Sequence, residues 1–285
     1  MKFLITGAKG QLAREFRTGL TEAGHETAAF DKEALDISDL GSIQEIVSKC
    51  QPDILLNCAA YNFVDKAEQD FDTAYRVNAA GVKNLASVCR RDNILMVHYS
   101  TDYIFDGTKT AFYIEEDVPN PLNKYGQSKL EGERLLMEEL DTFLLFRVSW
   151  VFGAGKQNFL YKLVEWAKKN RVLRIVSDQL SIPTYTKDIV NLTMFAINKR
   201  LKGIYHLTDS GYASRYEVSR YFLEKIGMDN LILPVDSQYF PVSARRPYFS
   251  ALSNQKLADE LNVDIPDWKL GIDRYIQETF EKEAI

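Results

Sequence analysis

The opening segment constrains the fold more than any other. Residues 2–6 form a short apolar run, Gly7-Ala8-Lys9-Gly10-Gln11-Leu12-Ala13 follows at once, and Leu12, Phe16 and Leu20 recur at helical spacing. A strand that passes through glycines into a helix begins a dinucleotide-binding βαβ unit. Gly7 permits the tight turn, Gly10 lets backbone approach a pyrophosphate, and Ala13 is small enough for close helix packing. The helix N-terminus can then receive the phosphates. A strand-helix turn that binds nothing has the same pattern, so the later segments must decide.

Those segments continue the unit. Residues 26–30 read as a second strand ending in Asp31, at the distance expected for an acidic residue that accepts hydrogen bonds from the adenosine ribose. Asp31 disfavours a 2′-phosphate, while Lys9 and Lys32 lie close enough in sequence to attract one, so NADH and NADPH both stay open. Asp36 and Ile37 either flank the adenine or form a turn with one buried side chain. Residues 52–60 are a near-continuous apolar run, as in a strand buried on both faces, and the small Ala59 and Ala60 at its end suit contact with a cofactor. A helix over about 71–91 places Ala74, Val77, Gly81, Leu85 and Val88 on one face, and Asn78 reads as structural. Residues 94–99 then supply the central strand. The alternation predicts an α/β chain with a Rossmann-type doubly wound parallel sheet.

Ser100-Thr101-Asp102 ends that strand, and the chemistry belongs there and on the next helix, where Tyr125 and Lys129 are four residues apart on one face. An isolated phenol titrates near about 10, and a neighbouring ammonium favours the phenolate, bringing the proton within reach of exchange near neutral pH. The pair suits ketone reduction: Tyr125 donates the proton to the nascent alkoxide, Lys129 holds a cofactor hydroxyl, and Thr101 donates a hydrogen bond to the substrate carbonyl. Tyr221 and Lys225 repeat the spacing without that context and read as an ordinary amphipathic helix. Gly126 and Gly132 each cost roughly 1 kcal/mol against alanine in a helix, which predicts close approach of another backbone or of a cofactor.

Residues 142–148 form a further strand, after which the alternation loosens into a helix-rich region with prolines in its loops. We therefore expect a dinucleotide-binding domain over 1–148 and mainly a smaller C-terminal substrate lobe over 149–285, with parts of about 172–207 returning to the main sheet. A chain of 285 residues is long enough for both. The net charge of -5 argues against nucleic acid as a partner. No stretch approaches the roughly 20 apolar residues of a membrane span, and the N-terminal apolar run is too short for a signal segment, so no membrane and a cytoplasmic location are expected. Cys50, Cys58 and Cys89 lack CxxC spacing and the histidines are scattered, so the cysteines read as small buried residues and no structural metal is expected.

These motifs resemble the extended short-chain dehydrogenases/reductases and, within them, the dTDP-4-dehydrorhamnose reductase family. The likeness covers nearly the whole chain. It rests on residues 6–12, Asn57-Cys58-Ala59-Ala60-Tyr61 with residues 64–68, Ser100-Thr101-Asp102-Tyr103, residues 121–126, Arg147-Val148-Ser149-Trp150, Asp178-Gln179 with Pro183-Thr184, residues 203–206, and Ala244-Arg245-Arg246-Pro247. It implies hydride transfer from NADPH or NADH to C4 of a dTDP-4-keto-6-deoxy sugar, giving dTDP-L-rhamnose. Tyr125 is then the proton donor, Lys129 binds the nicotinamide ribose and tunes Tyr125, and Thr101 replaces the superfamily's usual serine. Implied cofactor contacts are Gly7, Gly10, Gln11, Leu12, Asp31, Asp36, Ile37, Ala59, Ala60 and Tyr61. Thr101, Asp102 and Trp150 would meet the dTDP-sugar, and Arg245 or Arg246 either its diphosphate or a surface acid. Departures from the family pattern are Ala13, Asn62-Phe63, Ser181, and Lys187, where relatives can carry an acid that takes part in a magnesium-bridged dimer. Magnesium is therefore left open, as is the choice between monomer and homodimer. The alternatives are another nucleotide-sugar ketoreductase, and a non-catalytic cofactor-binding partner like the regulatory subunit of methionine adenosyltransferase. Retention of Thr101, Tyr125 and Lys129 together argues against the second.

Overall fold

In the computed structural model, which describes residues 1–281, six strands pair in parallel: β1 (Lys2–Thr6), β2 (Glu26–Phe30), β3 (Ile54–Asn57), β4 (Leu95–Thr101), β5 (Phe143–Val148) and β6 (Gly203–His206). Their spatial order is β2-β1-β3-β4-β5-β6, so the sheet grows in one direction from β1 to β2 and in the other from β1 through β3. The crevice beyond the carboxyl ends of β1 and β3, where the direction reverses, is where such sheets bind ligands. Period-2 alternation splits the core between the two faces. Phe3 and Ile5 pack with Phe16 and Leu20 of α1 (Gln11–Glu22), whereas Leu4 packs with Ile43 and Val47 of α2 (Leu40–Cys50) and Leu85 of α3 (Gly81–Asp92). β3 is buried along its whole length, as a strand covered on both faces must be.

The helix expected over 71–91 is interrupted. A short helix, Phe71–Tyr75, passes through a π turn, Arg76–Ala80, into α3. π turns inside helices recur at functional sites, and the one here carries Asn78. The buried Asn78 side chain accepts from the Tyr61 amide (2.8 Å), donates to the Tyr61 carbonyl (3.0 Å) and donates to Ser128 Oγ (3.0 Å). It thereby joins the loop after β3 to α4 (Lys124–Glu139), the helix of Tyr125 and Lys129. A Cβ at Gly132 would lie 2.0 Å from the Asn78 carbonyl oxygen, and one at Gly126 would lie 2.2 Å from that of Tyr103. Both glycines therefore mark backbone crossings.

The helix-rich half has its own core, with Phe152, Leu163, Tyr185, Phe222, Trp268 and Tyr275 among α5 (Phe159–Lys169), α7 (Arg215–Lys225) and α8 (Trp268–Ile276). Of residues 172–207, the strand Val172–Val176 pairs with Leu231–Val235 outside the main sheet, α6 (Thr186–Asn198) packs its Ile189 and Ala196 into the α1 side of the main core, and β6 extends the sheet. Tyr221 and Lys225 both bond Asp273, at 2.9 and 3.3 Å, which gives the second Tyr-Lys pair a purely structural use. Helical spacing over residues 268–282 predicts a last helix; α8 ends at Ile276 and continues as a π turn over Gln277–Glu281, and Lys282 lies outside the described residues. Cys89 is buried, but Cys50 and Cys58 are only half-buried, and all three are free. Among the described residues no helix is long and apolar enough to cross a membrane.

Gly132→Ala should destabilise the protein by about 1–3 kcal/mol or more, because a rigid carbonyl must move to admit the methyl. Urea unfolding measures this, and an unchanged midpoint would remove the crossing from the account.

Candidate active site

The turn after β1 is built for close approach. Gly7 has φ +68°, and a Cβ there would lie 2.8 Å from the Ala59 amide nitrogen, so both conformation and space demand glycine. Thr6 Oγ1 donates to Asn57 Oδ1 (2.7 Å) and accepts from the Ala59 amide (3.2 Å), which pins the tips of β1 and β3 together. Gly10 caps α1 without a side-chain bond, and the first turn of α1 has no acidic residue, so its amides are left to an anion. A cleft of about 330 Å³ opens here, and Gly10, Gln11, Ala59, Ala60, Tyr125 and Lys129 are among its lining residues. Ser100 Oγ and Gln11 Oε1 also belong to it and are buried without a hydrogen-bond partner. Backbone amides at a helix start, a glycine cradle and two orphaned oxygens fit a dinucleotide.

In the turn after β1, Lys9 Nζ bridges Asp31 (2.8 Å) and Glu33 (2.7 Å). The ammonium holds Asp31 below the usual carboxylate range, helped by the Ala34 amide. Lys9 is thus engaged with Asp31 itself. Asp36 Oδ1 accepts from the Ser38 amide and hydroxyl (2.9 and 2.7 Å), and Ile37 is core, 3% exposed and pressed against Gly81. Tyr61 is held through its backbone by Asn78, with its ring edge-on to Phe63 at 5.5 Å.

The structure brings Thr101, Tyr125 and Lys129 to one wall of the cleft, at the tip of β4 and the first turns of α4. Asn123 caps α4 by accepting from the Gly126 amide (2.8 Å), and Glu68 accepts from the Lys124 amide (2.7 Å). Tyr125 is therefore presented from a fixed helix start. Its hydroxyl lies 3.4 Å from Asn62 Oδ1, and its ring meets Tyr103 edge-on at 6.1 Å. Burial pushes the Tyr125 phenol up, a Thr101 hydrogen bond pulls it down, and the charges of Asp102 and Tyr103 push it up again. The expectation that Lys129 lowers it is not met in the protein alone, because Lys129 Nζ donates instead to the Tyr99 carbonyl (2.6 Å). Burial lowers Lys129 itself to about 8, with Glu133 opposing. Tyr125 thus carries its proton at neutral pH, as a donor requires, and Lys129 is poised close to its own titration.

Asp102, expected to meet substrate, lines the cleft but is only 2% exposed, with its carboxylate bonded to Ser181 (2.8 Å) and Ser250 (2.6 Å). Trp150 adopts φ +35°, a left-handed conformation, and its ring stacks on the Arg215 guanidinium at 4.7 Å. Arg215 faces a groove of about 660 Å³ in the helix-rich half, lined also by Phe159, Ile175, Tyr239, Phe240 and Arg246. Among the described residues the Arg215 guanidinium makes no ion pair, whereas Arg246 is bound to Asp65 at 2.7 Å. Arg245, expected at a diphosphate, is exposed and outside the groove, and its carbonyl accepts from the Asn123 side chain (2.8 Å). Asn62 and Arg215 are the residues that sequence reasoning missed as site members. Asn62 was visible only as a departure from the family pattern, and Arg215 carries no local signal because its neighbours come from distant segments.

Lys187 Nζ is paired with Glu278 at 2.5 Å, and nearby Glu15 accepts from Thr186 at 3.3 Å. An ammonium already occupies this acidic group, so it does not fit a magnesium ion. Among the described residues no three His, Cys, Asp or Glu side chains gather as metal ligands.

The RmlD substrate binding domain family matches residues 1–280. A dTDP-4-dehydrorhamnose reductase of Burkholderia thailandensis is 37% identical, over 95% of this chain and 97% of its own. A spore coat polysaccharide biosynthesis protein of Bacillus subtilis is 36% identical over 97% of both. The crystal structure of dTDP-4-dehydrorhamnose reductase from Bacillus anthracis in complex with NADP is 33% identical and superposes with a TM-score of 0.94, over 98% of this chain and 99% of that one.

The Lys129 environment predicts a pH dependence of stability. Below pH 8 both folded and unfolded chains carry this charge, and the folded chain bears the whole cost of burying it, about 3 kcal/mol for a lysine lowered from 10.5 to about 8. Between those values the unfolded chain binds more protons, so stability rises with pH. Urea unfolding should show Lys129→Met more stable than the parent at pH 7, with the gap closing towards pH 10.5. A gap that does not change with pH would show that Lys129 is not buried as a charge.

Proposed function

The chain belongs to the RmlD substrate binding domain family, and on that premise we propose that it reduces the C4 ketone of dTDP-4-dehydro-L-rhamnose to dTDP-L-rhamnose with NADPH or NADH. The observation that carries this reading is the meeting of Thr101, Tyr125 and Lys129 on the wall of a cleft that starts at a glycine cradle. Bound in that cleft, the reduced nicotinamide supplies the hydride that C4 receives. Gly10, Gln11 and Leu12 present the start of α1 to the pyrophosphate, Asp31 accepts from the adenosine ribose, and Ala59 and Ala60 let the dinucleotide pass close to β3.

The protein's own part is orientation and the proton. As charge develops on O4, the Tyr125 hydroxyl gives up its proton to it, and C–OH replaces C=O. Lys129 turns to the nicotinamide ribose and, when charged, favours the phenolate left behind. Thr101 offers its hydroxyl to the reacting centre. We assign 1–148 to the cofactor and mainly 149–285 to the sugar nucleotide. Trp150 walls the sugar, while Arg215, without an ion pair among the described residues, and Arg246 suit the diphosphate in place of Arg245.

Tyr125→Phe should lower kcat by roughly two orders of magnitude or more, with NADPH affinity by fluorescence titration nearly unchanged. Turnover close to that of the parent would reject Tyr125 as donor. Arg215→Met should raise the KM for the sugar nucleotide about tenfold or more and spare cofactor binding, since a charge-assisted bond to phosphate contributes about 1.5–3 kcal/mol. Steady-state NADPH oxidation checks this, and equal KM values would place the diphosphate elsewhere. The same assay with other 4-keto sugar nucleotides tests the choice of sugar.

A further inference from the structure

Asp102 is a buried carboxylate that forms no salt bridge among the described residues, a situation that is costly unless donors replace water. Among the described residues its side-chain donors are all hydroxyls. Ser181 and Ser250 donate to Oδ2, at 2.8 and 2.6 Å, and Thr101 donates to Oδ1 at 3.2 Å. Ser149 Oγ contacts Ser181 Oγ and accepts from the Ile182 amide at 3.3 Å. With Ser149 donating to Ser181, every hydroxyl hydrogen in the cluster runs towards Asp102.

Backbone pairing sets the two serines side by side. The Leu180 amide donates to the Tyr248 carbonyl (2.7 Å) and the Ser250 amide to the Leu180 carbonyl (2.9 Å), fixing the register of the two segments. Ser181 and Ser250 are 1% and 2% exposed, so neither serves solvent. The segment carrying Ser181 also pairs with Ala213–Ser214, the lead-in to Arg215.

Thr101 has one hydroxyl hydrogen, given to Asp102 Oδ1 at 3.2 Å, and Tyr125, whose phenol it can also bond, lines the same cleft. Left with Thr101 alone, a buried Asp102 would hold that hydrogen permanently. Two serine hydrogens on the other carboxylate oxygen weaken the claim. We propose that Ser181 and Ser250 are positioning residues for proton transfer at Tyr125: by satisfying Asp102 they free the Thr101 hydroxyl to turn to the Tyr125 oxygen as its proton leaves. This rests on Tyr125 being the proton donor. Asp102 then acts on Tyr125 through Thr101.

The test is a mutant cycle read by kcat and KM, with NADPH titration reporting an intact cleft. Joint Ser181→Ala and Ser250→Ala should lower kcat about tenfold, on the scale of a hydrogen bond to a charged group, with both KM values within about twofold. In an Asp102→Asn background, where no charge competes for the Thr101 hydrogen, the serine substitutions should cause no further loss. Equal losses in both backgrounds would make the serines merely structural and overturn the proposal. So would a rise in sugar KM at constant kcat, which would make the cluster a sugar contact. Full kcat in the serine variant beside an inactive Tyr125→Phe would sink this proposal alone; an active Tyr125→Phe would sink the underlying reading first. Should the joint variant lose NADPH binding, each single serine variant carries the same cycle, with about a threefold loss expected.

Discussion

Two backbone-on-backbone crossings fix where the Tyr125 helix lies. At Gly132 and Gly126, α4 passes so near the Asn78 and Tyr103 carbonyls that no side chain fits between them. The first crossing ties α4 to the π turn, and through Asn78 to the backbone of Tyr61 beside the cleft. The second ties it to the turn that leaves β4 at Thr101 and Asp102. The separation between the Thr101 hydroxyl and the Tyr125 phenol is thus set by main chain, which moves less readily than side chains do. Groups that must exchange a proton need that kind of support.

The electrostatics follow from this burial. Packing α4 against the sheet takes Tyr125 and Lys129 out of water, and desolvation drives their titrations apart, the phenol up and the ammonium down to about 8. In the protein alone the two groups are not yet a pair, since Lys129 donates to the Tyr99 carbonyl. His98, packed nearby, is driven well below its ordinary range by burial and by the Lys129 charge, so it adds no competing cation. The site is therefore held in the state a donor needs before reaction, with a neutral phenol and a lysine close to its titration point.

Local signals were legible in the sequence and long-range ones were not. The glycine turn, the buried strands and the Tyr125-Lys129 spacing are encoded in neighbouring residues, and the helix glycines announced the crossings without naming what crosses. The decoy pair Tyr221 and Lys225 was told apart by context, and Asp273 shows what it serves. The π turn escaped, because its cause, Asn78 reaching Tyr61 and Ser128, spans fifty residues. Arg245 and Arg246 are adjacent in sequence, and only folding decides which one meets Asp65 and the groove. Helical spacing likewise gives Lys129 and Tyr125 a shared face but not the Tyr99 carbonyl that holds the ammonium in the protein alone.

Trp150 shows how the two halves are coupled. A non-glycine residue at φ +35° carries a cost of about 1–3 kcal/mol, which persists only where the surroundings over-determine it. Here the Trp150 carbonyl accepts from the Thr184 amide at 3.3 Å, and the ring stacks on Arg215 at 4.7 Å. One residue further on, the Val151 carbonyl accepts from Gln11 Nε2 at 2.9 Å, at the start of α1. The bend thus joins the glycine turn on one side to the Arg215 groove on the other. A relaxed backbone at this point would swing the ring off Arg215 and the Val151 carbonyl off Gln11 together, so the strain serves to keep the glycine turn and the Arg215 groove in register.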